Sequence, residues 1–150
     1  MKITGRARLQ CFRKDGSLKW DTGILNNTIA VSGLPAVTSL VGGLGASAFT
    51  YIAVGTDNTA ESSSHTALQD EITTGGLERA SATVTQETDT ETDDTLKLEN
   101  TWTASDSHTV EEVGIFNAAS DGTMLGRKLT GTKTVDSGET LKGTYSVAFS

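Results

Sequence analysis

Residues Lys2 to Phe12 alternate with a period of two. Ile3, Gly5, Ala7, Leu9 and Cys11 fall on one face, and Lys2, Thr4, Arg6, Arg8 and Gln10 on the other. That is the pattern of a half-buried β-strand. Asp15-Gly16 follows, a dipeptide that favours the positive φ of tight turns. Leu18, Trp20, Thr22 and Ile24 then resume the pattern on a return strand. The pair predicts a β-hairpin over residues 1–25, with long arms carrying both Arg and Trp and free to project from the domain.

From Asn26 the period changes. Leu34, Val37, Leu40 and Val41 lie at helical spacing, with Pro35 near the start and Gly42-Gly43 just past the end. Those are helix-terminus preferences, so one short helix is expected over Leu34–Val41. Phe49 to Val54 is a short apolar strand, followed by a polar loop to about Ser64 and one helical turn over Thr66–Ile72. Leu77–Thr88 and Leu96–Ala104 read as a long antiparallel ribbon around an acidic tip, Asp89–Asp94. Val110–Phe116 and Met124–Thr134 flank the turn Ser120-Asp121-Gly122-Thr123. On the second of these, Leu125, Arg127, Leu129 and Gly131 share one face, and Lys128 and Thr130 the other. After Asp136-Ser137-Gly138 the chain closes on Tyr145, Val147 and Phe149, again alternating. About eight strands at short turn spacing predict an all-β, antiparallel β-sandwich forming a single domain over 1–150, with 1–25 as a hairpin arm.

Composition adds a reason to expect assembly. Only 35% of residues are hydrophobic, spread over many strands. The result is a thin sandwich or a core completed against neighbours, so a homo-oligomer is expected. The net charge of −7 and an isoelectric point of about 4.7 repel phosphate, which argues against nucleic acid as a partner. Charge is also unevenly spread. Lys2, Arg6, Arg8, Arg13, Lys14 and Lys19 sit near the N-terminus, while Glu87, Asp89, Glu91, Asp93 and Asp94 crowd one stretch. Head-to-tail packing of a basic face on an acidic one is one reading, and an ordinary solvated surface is the other.

Cys11 is alone, so no disulfide forms within the chain. No apolar leader follows Met1-Lys2, and the apolar-leaning stretch Ile29–Tyr51 is broken by Ser, Gly, Thr and Pro. Neither a signal peptide nor a membrane span is expected, and the chain is expected to be made and assembled in the cytoplasm.

Catalytic chemistry finds little to build on. His65 and His108 lie in Ser/Thr-rich segments without the spacing of paired zinc ligands, and read as exposed loop histidines. Ser64-His65 and Asp70 have no nucleophile-elbow glycines around them, and Gly42-Gly43-Leu44-Gly45 lacks the Lys-Ser/Thr of a phosphate loop. No enzyme activity, cofactor or resident metal is expected. Asp89, Glu91, Asp93 and Asp94 are the best set for calcium, which wants six to eight oxygens, yet the glycine of such loops is missing. A solvated tip that blocks edge pairing fits better. Trp20 and Trp102 fall in strands, where each is a core residue or an interface anchor.

Three segments together carry a resemblance. The first is Asp15-Gly16-Ser17-Leu18-Lys19-Trp20-Asp21 leading to Asn26-Asn27. The second is Tyr51-Ile52-Ala53-Val54-Gly55-Thr56, then Asn58-Thr59-Ala60 and Thr66-Ala67-Leu68. The third is Glu112-Val113-Gly114-Ile115-Phe116, then Asp121-Gly122-Thr123-Met124-Leu125 and Arg127. In this order the chain resembles a loose group of tailed-bacteriophage virion structural proteins, either capsid decoration (cement) proteins or components of tail, baseplate or fibre. One departure is Glu61-Ser62-Ser63-Ser64, where such proteins often carry Pro-Ala. The resemblance implies a virion location, no catalytic residues, and the major capsid protein or other virion proteins as partners. On the decoration reading the protein bridges major capsid subunits. The segment expected to touch them is the basic arm, through Arg6, Arg8, Arg13, Lys14 and Trp20.

Overall fold

In the computed structural model, which describes Met1–Ser150, the alternating segments become ten antiparallel strands of one sheet. In chain order they are β1 (Ile3–Phe12), β2 (Leu18–Asp21), β3 (Leu25–Ile29), β4 (Tyr51–Gly55), β5 (Ala80–Ser81), β6 (Thr83–Glu87), β7 (Thr95–Thr103), β8 (His108–Phe116), β9 (Met124–Val135) and β10 (Thr140–Phe149). A single helix, α1 (Leu34–Val41), follows a 3-10 turn at Val31–Gly33 and occupies the expected residues. Strand accounts for 48% of the chain and helix for 7%, so the fold is all-β. Thr66–Ile72, expected as a helical turn, is irregular; its backbone is held by the Glu112 carboxylate on β8 and by backbone bonds with Val54 and Thr56 at the end of β4.

The sheet runs β5-β4-β8-β9-β3-β1-β10-β7-β6 and curls until its ends nearly meet. Two segments do the turning. β3 pairs with β1 through Leu25–Asn27 and with β9 through Thr28–Ile29, so it passes from one layer to the other. On the opposite side β5 pairs with β4, and β6, one residue later, pairs with β7. Ala82 between them donates its N–H to the Thr50 carbonyl. The two layers of the expected sandwich are thus joined on both sides into a nearly closed barrel, which leaves few edge groups unpaired.

The hairpin over residues 1–25 forms, but it does not project. β1 pairs with β10 over its whole length, from Ile3–Phe149 to Phe12–Thr140, and with β2 and β3 along its other edge. Ala7, Leu9 and Cys11 are fully buried in the main core. Alternation reports that one face of a strand is buried and carries no information on how many neighbours it has.

Side chains stack in rows across the strands. At one end of the barrel Trp102, Leu141, Cys11 and Trp20 stand side by side on β7, β10, β1 and β2. Further along, Leu98, Tyr145 and Ala7 form another row. Tyr145 is completely buried, and its hydroxyl pairs with the Asn27 side-chain amide. Gly126 makes room, since a Cβ there would overlap the tyrosine hydroxyl. Burial pushes the Tyr145 hydroxyl well above its ordinary pKa, so the group stays neutral.

Bulges in the β8–β9 pair redirect side chains. The register shifts between Val110 and Glu112, and again between Ile115 and Phe116. A bulge adds one residue and reverses the alternation beyond it. Val110 therefore joins Val113 and Ile115 in the main core. Leu125 and Arg127, expected on one face, separate for the same reason. Leu125 enters the main core, while Met124 lies with Phe116, Leu68, Ala53 and Ala30 in a second, smaller one.

Candidate functional site

The chain between β4 and β5, residues 56–79, is too long for a simple connection; uncovered loops of such length are uncommon unless functional or packed by their own side chains. Here it is packed. Leu68, Ile72 and Leu77 are buried, and Glu71 forms a bridge with Gly55 on the outer edge of β4. The anchor is Glu112, which is fully buried. Its carboxylate accepts the backbone N–H groups of Gln69 (3.1 Å) and Asp70 (2.9 Å) and the Nε of Arg127 at 2.5 Å. Arg127, 1% exposed, also donates to the Thr59 carbonyl at 2.9 Å and lies 3.4 Å from His65 Nδ1. Glu61 extends the same network, accepting from Lys128 Nζ, the Leu129 N–H and the Thr28 hydroxyl.

Glycines make this possible. A Cβ on Gly55 would overlap the Glu112 carboxylate and the Asp70 carbonyl, and one on Gly114 would meet Leu68. A second anchor sits beyond. Arg79 lies 3.7 Å over the Phe116 ring, pairs with both carboxylate oxygens of Glu71 at 2.8 and 2.6 Å, and donates to the carbonyls of Ala118 and Asp121. It ties the loop to the β8–β9 turn. Between them an open groove of about 610 Å³ is lined by Thr66, Thr73, Arg79, Ser120 and Asp121 among others. Glu112 and Arg127 belong to segments singled out in the sequence, but their pairing was not legible there. Arg79 fell in no motif at all.

The five residues expected at an interface do not form one surface. Arg6 and Arg8 share the outer face of β1, on a polar groove of about 360 Å³ with Lys97, Lys142, Glu87 and Glu99. Each is already paired. Arg6 grips Asp89 at 2.7 and 3.0 Å, and Arg8 grips Asp21 at 3.0 and 2.6 Å. The basic arm and the acidic tip, apart in sequence, thus meet within one chain. Arg13 and Lys14 are exposed in the β1–β2 turn, where Arg13 donates to the Leu18 carbonyl and Lys14 lies along Gly138. Trp20 faces the barrel instead, half-buried against the main core, with its indole N–H on the Thr134 carbonyl at 2.7 Å.

No family model matches this chain, and no curated protein or solved structure matches it either.

The acidic tip is internally occupied. Asp94 accepts the backbone N–H groups of Glu91, Asp89 and Thr90 at 2.7, 2.8 and 2.8 Å, which hold its carboxyl below the usual carboxylate range. Arg6 does the same for Asp89, and Arg8 holds Asp21 at about 2. A carboxyl whose folded pKa lies below its unfolded value of about 3.9 stabilises fully above that value and loses the contribution as pH falls through the folded pKa. The melting temperature is therefore expected to stay level from pH 7 to about 5 and to drop between about pH 4 and 2. Asp21→Asn should flatten part of that drop. An acid limb that begins near neutrality would assign it to other groups.

The histidines are less exposed than their sequence context suggested. Both are half-buried: His65 lies beside Arg127, and His108 opens β8 with its Nε2 buried and unpartnered against Gly75. The reason is tertiary, since a polar loop folded back on a sheet buries what it covers. Cys11 is buried in the tryptophan row, where burial and the nearby Glu139 carboxylate push its thiol up to about 12. A buried thiol so rarely ionised is unreactive. The native protein should leave a thiol reagent at pH 8 unconsumed and react fully only in denaturant; rapid native reaction would mean that this end of the barrel opens.

Proposed function

We propose that the chain is a structural protein of a tailed-phage virion that decorates the head and stabilises it by bridging major capsid subunits. The observation that supports this is the use made of the residues carrying the resemblance. Glu112, Gly114, Phe116, Arg127, Gly55 and Leu68 all serve to fix the long loop onto the barrel wall. These are the duties of a rigid scaffold. A particle-bound protein of this kind works by mass action: it binds the assembled lattice and not its separated subunits, so occupancy adds to lattice stability. Many symmetric copies multiply modest contacts.

The surface offered to the capsid is the exposed β1–β2 turn with Arg13 and Lys14. Density from electron cryomicroscopy of intact virions tests the reading. It is expected to show this barrel on the outside of the head, at junctions between capsid subunits, with the β1–β2 turn facing the shell. Density in the tail, baseplate or fibres would replace decoration by a tail role. A chain missing from washed particles would overturn both.

A further inference from the structure

The barrel wall parts at one place. The last backbone bond between the β4 stretch and the β5–β6 segment is the Ala82 N–H on the Thr50 carbonyl. Beyond it residues 46–49 run to α1, where the Ala46 N–H meets the Ser39 hydroxyl, and they make no backbone bond with β6. β6 is therefore paired with β7 alone, and all five of its residues are exposed. Alternate residues of a strand present their N–H and C=O groups to the same edge. Ala82 bonds on the open side, so Val84 and Gln86 follow it and offer their backbone groups to the gap. Sheets blunt such edges with Lys, Pro or a bulge, and Thr83-Val84-Thr85-Gln86 has none of these.

Two features beside the edge say what pairs with it. The first is an apolar hollow of about 270 Å³ in the gap, lined by Phe49, Val84, Leu96 and Phe149 among others. Val84 stands opposite the buried Leu98 of β7, on the inner side of the sheet, yet is 41% exposed. A strand added to β6 would continue the alternation and set its inward side chains over this hollow, so those side chains are apolar. The second feature is charge. β6 leads into the acidic tip, where Asp89 is paired with Arg6 and Glu87 with Lys97, while Glu91 and Asp93 are exposed and have no cationic partner. A strand passing the tip meets uncompensated negative charge, which attracts Lys or Arg and repels acidic segments. A second copy of this chain fits poorly, since it brings its own acidic tip and a β6 with Val84 as its one apolar residue. We propose that the open edge of β6 docks an extended segment of a partner protein as an added strand, apolar at alternate positions and basic at the end beside the tip.

Fluorescence anisotropy of the full chain with labelled peptides of about eight residues tests this. Two pools carry Val, Ile, Leu or Phe at alternate positions and Thr between them, one with Lys at both ends and the other with Glu. The Lys-ended pool is expected to bind at least about tenfold more tightly. N-methylating one alternate set of its amides should abolish binding, and methylating the other set should leave it, because only one edge of the peptide meets β6. Glu91→Gln with Asp93→Asn should shrink the preference for Lys. Val84→Arg should weaken binding at least about tenfold while circular dichroism keeps the strand signal. No binding by either pool, equal affinity for both, indifference to which amides are methylated, or a dimer of this chain that Val84→Arg breaks would overturn the proposal. Peptide binding speaks to this edge and the position in particles speaks to the virion role, so either can fail without the other.

Discussion

Glu112→Ala is expected to destabilise the protein by about 3–5 kcal/mol, the largest effect of any single polar substitution in the chain. Removing the carboxylate leaves the Arg127 guanidinium, 1% exposed, without its 2.5 Å partner and with the more distant Asp57, at 3.7 Å, as its remaining counter-charge. It also orphans the N–H groups of Gln69 and Asp70. A buried charge stripped of its close partner costs far more than the pair contributes net, because the pair itself was expensive to desolvate. The double change Glu112→Leu with Arg127→Met should therefore be less damaging than the single one. Urea unfolding gives the stabilities, and hydrogen exchange gives the local consequence. Amides of residues 57–72 should lose protection in Glu112→Ala while those of β1 and β10 keep theirs. A loss under about 1 kcal/mol with the loop still protected would show that the loop holds by its apolar contacts alone.

Trp102→Ala is expected to cost about 3–5 kcal/mol as well, by a different route. The indole is 5% exposed, donates to the Glu78 carbonyl at 2.8 Å, and packs in the row that closes one end of the barrel. Truncation leaves a cavity bounded by three strands that cannot collapse independently. For a chain of this size the melting temperature should fall by roughly 10 °C. Trp20→Ala should cost less, about 1–3 kcal/mol, since its ring is only half-buried at the outer end of the same row. Thermal melts of the two variants side by side decide the order. If Trp20→Ala left stability untouched yet abolished particle binding, the indole would be an anchor for a partner and not a brace.

The sequence by itself determined the strands and much of their facing. Period-two alternation at Ile3–Phe12 and Tyr145–Phe149, Gly-containing turns at Asp15-Gly16, Asp121-Gly122 and Ser137-Gly138, and the Pro35-to-Gly42 bounds of α1 are local signals, and the structure places strands, turns and helix there. Local periodicity works because a side chain's direction follows from its own backbone. What it cannot carry is the identity of the neighbour. That β1 is central, that β3 and the β5–β6 segment each serve both layers, and that the sandwich closes into a barrel are matters of pairing between distant segments. Bulges lie beyond periodicity too, so the core position of Val110 and the parting of Leu125 from Arg127 emerged only in three dimensions. The long-range polar contacts follow the same rule. Arg6 and Asp89 are 83 residues apart and Arg127 and Thr59 are 68 apart, and each joins only when the barrel has closed around its core. The long loop shows the limit most clearly: its polar composition marked it as surface, and only the buried Glu112 beneath it decided that it would be fixed as a second layer.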